Sequence, residues 1–430
     1  MVERTHCVLI DSAKCVGCVS CSQACPTRAI RVRDHLARAN EELCIDCGAC
    51  IDACRYDAVK ARTSSAADLK RFKHTVAMPS LTLYAQFDKG VQPGQVLRAL
   101  RHLGFDSTCD ISWMCEMLTG ATDAYLSECE GPWPKISVTC PAVVRLIQIR
   151  YPDLIPHLVP LETPRELAAK LRRRRLASEL GLDPSEIGIF FITPCTAIID
   201  SILAPEGLEA SHLDGAFSIA ELYGPLLRAI KSDPGADSAD AISAKGLRWA
   251  MAGGEISSMR NSNAMTVRSL RDVVYVFDRI ESGTFQTVDF IEAYICSGGC
   301  VGGQLTLAGR YVAQRNIRQL ARQIGDSGKV KEEKVRSMLR EHFFDIESEI
   351  HARPVRPLGR DLRQAIALKR EKSALLERLP RKDCGACGAP DCDTLADDVV
   401  RGDGALDDCV FIKLEELERK RCDRRGGDHE

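Results

Sequence analysis

The sequence predicts an α/β core flanked at both ends by small cysteine-rich modules. Strand-like and helix-like segments alternate through the middle of the 430-residue chain, and this rhythm favours a sandwiched α/β domain. The chain also contains 21 cysteines, most of them clustered in metal-ligand spacings rather than spread as in a small disulfide scaffold. Its length accommodates one large core and one or two smaller modules.

The N-terminal module carries two copies of one cysteine motif. Both copies have the spacing C-x2-C-x2-C-x3-C, which is the bacterial two-cluster ferredoxin pattern, and there the fourth cysteine of each run binds the other cluster. Zinc is the competing metal for closely spaced cysteines, but eight thiols in a duplicated spacing favour two [4Fe-4S] clusters. The predicted ligands are Cys15, Cys18, Cys21 and Cys54 for the first cluster and Cys44, Cys47, Cys50 and Cys25 for the second.

Four further cysteines stand on separate segments of the predicted core. Cys140 and Cys195 each adjoin a proline near a predicted strand end, and Cys296 and Cys300 flank two glycines. Glycines allow the chain to fold tightly round a bulky group and to direct its amides at it. Since strand-end loops converge in open α/β folds, these thiols are predicted to hold one four-iron cluster. Buried free cysteine is the alternative for each thiol taken singly.

The rest of the core is interpreted from its local patterns. Thr163, Pro164 and Glu166 predict a capped helix with a capping box, which ends at Gly181. Strands are predicted at 187–192, 247–252 and 273–277, and a polar stretch at 61–70 predicts a linker. Beyond Gln304 the pattern becomes helical and highly charged.

A last group of cysteines predicts a compact C-terminal module. Three close thiols lie on a glycine-rich loop and a fourth follows a helix-like stretch, so together they can enclose a cubane, with zinc as the alternative. The spacing resembles a small four-iron domain of certain redox-complex subunits and corrinoid proteins. The predicted ligands are Cys384, Cys387, Cys392 and Cys409. Cys422, in the basic tail, is not predicted to be a ligand.

Three core motifs carry a resemblance to a known family. TCPA, TPCTA and CSGGCVGG, in this order and preceded by ALRHLGFDSTCD, resemble the cluster loops of the catalytic domain of [FeFe]-hydrogenase large subunits, over about residues 81–321. The resemblance implies a hydrogenase-like core of two sheets flanked by helices, with the cluster between them. It also implies that Cys140, Cys195, Cys296 and Cys300 bind a four-iron cluster, and that Cys300 bridges to a diiron subsite.

The chain departs from that family at the positions that serve the diiron subsite. Thr139 replaces a proton-transferring cysteine, and Ile198 replaces a lysine that grips a ligand of the subsite. Thr193 and Tyr294 replace methionines. A hydroxyl is a poor proton relay near neutral pH and isoleucine donates no hydrogen bond, so the pattern resembles the sensory, low-activity branch. Catalytic residues are not assigned.

The domain boundaries follow from these motifs. We expect an α+β ferredoxin-like domain at 1–62, the hydrogenase-like core at 75–321 and a helical linker at 322–375. A small, mainly helical [4Fe-4S] domain at 376–415 and a charged tail at 416–430 complete the chain.

Composition restricts the kinds of partner that we expect and is compatible with three functions. A net charge of −2 provides no electrostatic basis for nucleic-acid binding, and no segment predicts a membrane span. Clustered cysteines without a signal peptide predict a reducing, cytoplasmic location. We expect a redox partner protein, either a ferredoxin or a subunit of a redox or signalling complex. The functions are a slow or sensory hydrogenase, an electron-transfer subunit, and an iron–sulfur assembly-type protein without the diiron subsite.

Overall fold

The structure is a computed structural model, and it describes residues 7–88, 90–235, 242–260, 263–325, 328–353 and 355–426. Side chains of residues 420–426 lie outside this description, and Cys422 is among them. The charged tail predicted at 416–430 therefore falls partly outside the described residues. Within the described residues, no helix combines the length and the apolar composition needed to cross a bilayer.

The described secondary structure alternates strands and helices through the middle of the chain. The strands are β1 (Val8–Ile10), β2 (Ile30–Arg33), β3 (Leu36–Ala39), β4 (Val59–Ala61), β5 (His74–Pro79), β6 (Ser107–Thr108), β7 (Lys135–Ile136), β8 (Ile187–Thr193), β9 (Gly215–Ser218), β10 (Ala264–Arg268) and β11 (Phe290–Tyr294). The helices of the first half are α1 (Ser20–Ala24), α2 (Ala49–Ala53), α3 (Ala66–Leu69), α4 (Leu81–Tyr84), α5 (Pro93–His102), α6 (Ser112–Glu128), α7 (Pro141–Arg150), α8 (Pro164–Leu180) and α9 (Thr196–Leu203). Those of the second half are α10 (Ile219–Ser232), α11 (Ala244–Leu247), α12 (Leu270–Glu281), α13 (Arg310–Ile324), α14 (Glu332–Arg340), α15 (Leu362–Arg378), α16 (Cys392–Arg401) and α17 (Val410–Gly426).

The chain divides into two compact units. The core unit contains Cys7, Ile45–Gly48 and Ala61–Ala352. The accessory unit contains Val8–Cys44, Ala49–Lys60 and the chain from Arg353 onward. Ile45–Gly48 carries Cys47 of the second predicted ferredoxin motif, and yet it belongs to the core unit. The spacing of the cysteines in the sequence did not indicate this.

Two parallel sheets form the core unit. One has the order β6-β5-β8-β9 and the other the order β10-β11-β7, and each described pairing in them is parallel. Parallel strands are covered on both faces and read as unbroken apolar runs, and all seven residues of β8 are buried. The predicted α/β fold class, with parallel sheets and flanking helices, is confirmed.

Two predicted strands of the core are helical instead. The segment 247–252 contains the end of α11 and a 3-10 turn, and Ser243 caps α11 by accepting a hydrogen bond from the Gly246 amide. The segment 273–277 lies inside α12, where Val273, Val276, Phe277 and Ile280 are buried. This i, i+3, i+4, i+7 spacing is helical, and the β-branched residues concealed it.

Two smaller expectations about loops and caps are also wrong. The polar stretch at 61–70 contains α3 and attaches to β9, because the Ser64 amide donates to the Ala216 carbonyl at 2.7 Å. Helix α8 follows Thr163 and ends at Gly181 as predicted, but without a capping box. Glu166 instead accepts hydrogen bonds from Ser211 and the His212 amide.

The accessory unit consists of short elements round small apolar centres. Strand β1 pairs with β4, and β2 pairs with β3 in an antiparallel hairpin. Helices α1 and α2 pack beside them, and five cysteines of this part contact one apolar cluster built on Ile30, Val32 and Val59. A second apolar cluster, built on Leu379, Leu395 and Ile412, encloses cysteines of the C-terminal part.

Candidate metal centres

The four predicted core cysteines stand at the ends of strands from both core sheets. Cys140 follows β7 and precedes α7, and Cys195 follows β8 and precedes α9. Cys296 and Cys300 follow β11. A helix N-terminus carries partial positive charge, so the starts of α7 and α9 favour a thiolate at Cys140 and at Cys195.

The loop after β11 depends on two glycines for its close approach to the rest of the site. Gly299 has φ +78°, and a Cβ atom there would lie 2.3 Å from the Ala252 nitrogen. A Cβ atom on Gly303 would lie 2.4 Å from the carbonyl oxygen of Pro194, the residue before Cys195. The Leu305 amide donates to the same Pro194 carbonyl at 2.8 Å. The two cysteine loops therefore meet through their backbones.

The raised pKa of the Cys300 thiol fits a position close to the other three core thiols. Burial raises the pKa of Cys300 well above its ordinary value, and the thiolates of Cys195, Cys140 and Cys296 raise it further. The guanidinium of Arg165 acts in the opposite direction on this pKa. Four half-buried thiols that act on one another electrostatically fit a cationic iron cluster, because coordination holds thiols as thiolates and releases their protons.

A cavity of about 50 Å³ adjoins Cys300 in the core unit. Phe191, Ile198 and Trp249 supply apolar walls, and Thr139 and Cys115 also line it. Among the described residues, Cys140, Cys195 and Cys296 do not border it. Of the four core thiols, Cys300 is therefore the one that borders this cavity, which fits a second metal group held at Cys300.

The short segment Ile45–Gly48 is tied into the core beside these loops. The Thr196 hydroxyl donates to the Asp46 carbonyl at 2.6 Å, and fully buried Arg145 pairs with the carboxylates of Asp46 and Asp200. Cys47 packs against the same apolar cluster as Cys140 and Cys195. The segment therefore places one predicted ferredoxin ligand next to the core cysteine loops.

The predicted ligands of the first ferredoxin cluster come together in the accessory unit. Cys15, Cys18, Cys21 and Cys54 line one small cavity, which Val32 and Val59 also border. Of the second predicted set, Cys25, Cys44 and Cys50 belong to the accessory unit and Cys47 to the core unit. The second ligand set stays a prediction.

The four C-terminal cysteines also line one cavity. Cys384, Cys387, Cys392 and Cys409 surround it, with Pro380 and Leu395. The loop that carries them packs along β2, where the Val32 amide donates to the Gly388 carbonyl at 2.9 Å. Val32 thus lies between two four-cysteine cavities of the accessory unit.

Charged side chains hold this C-terminal loop against β2. Arg31 donates two hydrogen bonds to the buried carboxylate of Asp398, at 2.6 and 2.8 Å. Arg33 donates to the Cys387 carbonyl, and Gln23 donates to the Cys384 carbonyl at 3.0 Å. Bidentate arginine–carboxylate pairs are strong and geometrically specific, so they set the position of the C-terminal cysteines relative to the ferredoxin part.

Three regions of the chain match models of known protein families. Residues 73–234 match the family model described as "Iron only hydrogenase large subunit, C-terminal domain". Residues 7–55 match a 4Fe-4S dicluster domain, and residues 379–411 match a putative Fe-S cluster domain. Cys296 and Cys300 lie beyond the residues that the hydrogenase family model matches, and the structure brings the loop that carries them against Pro194.

Two curated relatives are hydrogenases. The chain is 33% identical over 242 residues to the periplasmic [Fe] hydrogenase large subunit of Nitratidesulfovibrio vulgaris, covering 51% of this chain and 57% of that protein. It is 25% identical over 256 residues to iron hydrogenase 1 of Clostridium pasteurianum, covering 49% and 45%. The chain spans about half the length of the curated relatives it matches.

Solved structures support the fold of the hydrogenase-type core. One [FeFe]-hydrogenase variant from Chlamydomonas reinhardtii superposes with a TM-score of 0.51 at 16% identity, covering 67% of this chain and 98% of that one. An apo variant from the same organism also has a TM-score of 0.51, at 15% identity over 66% and 95% of the two chains. At such identities the likeness shows the fold.

The departures from the hydrogenase motifs have defined places in the structure. The Thr139 hydroxyl lies 3.0 Å from the Ser137 hydroxyl, and Ile198 lines the Cys300 cavity. The Thr193 hydroxyl donates to the Cys195 carbonyl at 3.0 Å. Tyr294 is fully buried close to Cys300 and Cys140. Of the four altered residues, Thr139 and Ile198 thus border the cavity and Tyr294 lies close to Cys300.

Sequence reasoning missed the polar residues of the hydrogenase-type core. Glu255 and Glu292 are buried, and Arg165 lies near the core thiols. The sequence does contain one signal, because Glu292 interrupts the apolar strand FIEAY and a buried charge is rare unless it has a partner. Its partner, Glu255, is 37 positions away, which no local pattern reveals.

Proposed function

We propose that the protein transfers electrons through four [4Fe-4S] clusters and performs slow or sensory hydrogen chemistry at its core. The observation that supports this most is the convergence of four core thiols, of which Cys300 also lines a separate cavity. Cys140, Cys195, Cys296 and Cys300 would hold a four-iron cluster, and Cys300 would also hold the diiron group. When bound, that group supplies the metal centre at which hydrogen is formed or split.

Electrons would enter the core through the segment Ile45–Gly48. Gly48 lies against Thr196 and Gln304, and the Gln304 amide contacts the Cys296 sulfur at 3.6 Å. Within the core unit, the segment that carries Cys47 therefore lies within a few side chains of two core ligands. In the accessory unit, Val32 separates two four-cysteine cavities and supplies a similar short connection.

The altered residues limit the rate of hydrogen chemistry in this proposal. Ile198 cannot donate a hydrogen bond to a ligand of the diiron group, and the Thr139 hydroxyl does not ionise near neutral pH. The cavity keeps room at Cys300 but lacks the lysine and the cysteine of the hydrogenase motifs, although Arg165 and Cys115 line it at other positions. We therefore infer slow turnover or sensing, with a redox partner protein in the cytoplasm.

A second candidate function is electron transfer or cluster handling without a diiron group. The apolar walls of the Cys300 cavity, including Ile198, favour it, because such walls hold polar ligands poorly. The clusters would then serve an electron-transfer subunit or an assembly-type protein.

Infrared spectroscopy separates the two candidates. Full-length protein is matured anaerobically with the hydrogenase maturation system and its carbonyl and cyanide stretching bands are recorded. The diiron group carries these ligands and the cubanes do not. We expect the bands together with weak hydrogen evolution. Their absence from fully iron-loaded protein would reject hydrogen chemistry and favour the second candidate.

Two substitutions test why turnover is slow. Thr139→Cys adds a thiol with an ordinary pKa of about 8.5, and Ile198→Lys adds a hydrogen-bond donor. We expect hydrogen evolution to rise more in the double variant than in either single variant, since holding the group and supplying protons are separate requirements. Leu100→Met, at a buried residue of α5 that does not line the cavity, is the control and should leave the rate unchanged.

A further inference from the structure

A row of polar side chains leads from the interior of the core unit to the Cys300 cavity. The Ser137 hydroxyl lies 2.8 Å from Oε2 of Glu255 and 3.0 Å from the Thr139 hydroxyl. Thr139 lines the cavity. Glu255, Ser137 and Thr139 thus form a continuous hydrogen-bonded row that ends in the cavity.

The inner end of this row is a pair of buried carboxyls. Glu292 is fully buried and Glu255 is 3% exposed. The Glu255 amide donates to Oε1 of Glu292 at 3.2 Å, and the Gly253 amide and the Thr266 hydroxyl donate to Oε2 at 2.8 and 3.0 Å. Glu292 thus has three donors, which stabilise its ionised form. Glu255 accepts from Ser137, with the Thr139 hydroxyl as a second partner, and among the described residues no backbone amide donates to it. Its ionised form therefore has the weaker support.

Glu255 is therefore the member of the pair that carries a proton near neutral pH. Burial raises the pKa of Glu255 to about 8, and the neighbouring Glu292 carboxylate adds to this rise. Burial also raises the pKa of Glu292, while the Glu255 and Gly253 amides, Thr266 and Tyr294 oppose that rise. Other titratable groups face the pair, namely Cys115 from α6 and Tyr294 from β11. Each of these would be neutral near pH 7 because burial raises its pKa as well.

The row can reverse its hydrogen bonds without moving a heavy atom. A serine hydroxyl has one hydrogen to donate. When Glu255 is ionised, Ser137 donates to it and Thr139 donates to Ser137. When Glu255 is protonated, Glu255 donates to Ser137, Ser137 donates to Thr139, and the Thr139 hydrogen turns to the cavity. The protonation state of Glu255 is therefore transmitted to the cavity wall.

We propose that Glu255 and Glu292 form a proton-holding pair that binds one proton when one electron enters the core cluster, and that Ser137 and Thr139 connect the pair to the cavity. The proposal rests on the core four-iron cluster of the proposed function and is independent of hydrogen chemistry. A one-electron donor, such as a reduced ferredoxin-type cluster or dithionite, supplies the electron. Water supplies the proton, which forms an O–H bond on the Glu255 carboxylate. The added negative charge is thereby neutralised inside a region of low dielectric constant.

Redox difference infrared spectroscopy tests the proposal on anaerobic full-length protein that contains its four-iron clusters but no diiron group. Spectra are recorded above about pH 8, where Glu255 of the oxidised protein is ionised. Reduction should produce a band in the carbonyl region of protonated carboxylic acids, and the band should shift in D₂O. It should disappear in Glu255→Gln and in Cys140→Ser, which removes a core ligand. The core midpoint potential should fall as pH rises in the wild type and stay constant in Glu255→Gln.

Glu162→Gln is the matched control. Glu162 is also a buried core carboxyl with a raised pKa, but its hydrogen bonds go to Thr163 rather than to the row. The band should persist in this variant. Persistence of the band in Glu255→Gln, or its loss in Glu162→Gln, would overturn the proposal. Should Glu255→Gln fail to retain its core cluster, Ser137→Ala decides, since it should keep the band and shift its frequency.

The infrared experiment distinguishes failure of the proton-holding pair from failure of the proposed hydrogen chemistry. A carboxyl band in matured protein without carbonyl and cyanide bands would uphold the proton-holding pair and reject hydrogen chemistry. Carbonyl and cyanide bands with hydrogen evolution would support hydrogen chemistry. If the same protein showed no carboxyl band and a pH-independent core potential, the proton-holding pair would be rejected.

Discussion

The accessory unit and the core unit assemble their cysteine sites in different ways. In the accessory unit, three of the four C-terminal ligands lie within nine residues, from Cys384 to Cys392, on one loop. In the core unit, Cys140, Cys195 and Cys300 are separated by whole strands and helices and come from two sheets. A local site needs one loop to fold, whereas the core site needs the entire α/β domain.

The two units also stabilise their buried carboxyl groups differently. The accessory unit pairs the buried carboxylate of Asp398 with Arg31 and Arg33. The core unit keeps Glu162, Glu255 and Glu292 buried with hydrogen bonds from hydroxyls and amides. Ion pairs hold a loop in place, while buried carboxyls with raised pKa values are typical of sites that bind or release protons.

The largest effect expected is on metal content. Anaerobic protein should hold about sixteen irons, and Cys392→Ser should leave about twelve, because one cubane needs four thiolates. The core electron paramagnetic resonance signal should be unchanged. Cys47→Ser should also remove about four irons, but it should alter the core signal because Cys47 packs beside Cys140 and Cys195. Loss of every signal in Cys392→Ser would refute the distinction between local and assembled sites.

The second prediction concerns the arginine pairs of the accessory unit. Arg31→Ala removes two hydrogen bonds to buried Asp398 and should destabilise the attachment of the C-terminal loop by about 2–3 kcal/mol. Amide hydrogen exchange of residues 384–409 should accelerate accordingly. Arg28→Ala is the control, since its pairs with Asp391 and Asp393 are half-exposed and contribute less than about 1 kcal/mol. Equal acceleration in both variants would show that charge alone, rather than buried geometry, holds the loop.

The third prediction tests the close approach of the core cysteine loops. Gly303→Ala places a Cβ atom 2.4 Å from the Pro194 carbonyl oxygen, so it should destabilise the core by about 2 kcal/mol and reduce core iron. Gly309→Ala meets no atom within 4 Å and serves as the control. The thermal midpoint and iron content of both variants measure the effect. Unchanged iron in Gly303→Ala would mean that the loops can separate without losing the cluster.

The smallest effect is a pH dependence of core stability. Burial raises the pKa of Glu162 from 4.5 to about 7. Between these values the unfolded chain is ionised and the folded chain holds the proton, so folding becomes less favourable as pH rises, by up to about 1.4 kcal/mol per pH unit. Glu162→Gln should remove this decline in the thermal midpoint between about pH 5 and about pH 7. A wild-type midpoint that rises through this range would contradict the assignment.

Local sequence patterns were sufficient to predict those features of the protein that residues close together in the sequence determine. The ferredoxin-type and C-terminal cysteine spacings identify cluster motifs because their ligands lie on short loops. The alternation of strands and helices was sufficient for the fold class. Local patterns failed at α12, where Val273 and Val276 favoured a strand although their spacing with Phe277 and Ile280 was helical.

The sequence by itself therefore determined the cysteine motifs, the α/β class and the substitutions at Thr139 and Ile198. Tertiary structure decided the rest: the packing of Ile45–Gly48 in the core, the clamp of Arg31 on Asp398, and the meeting of Glu255 with Glu292. These contacts join residues from 37 to more than 350 positions apart. They form because backbone packing of two parallel sheets and one hairpin brings distant loops together, and no periodicity along the chain records that approach.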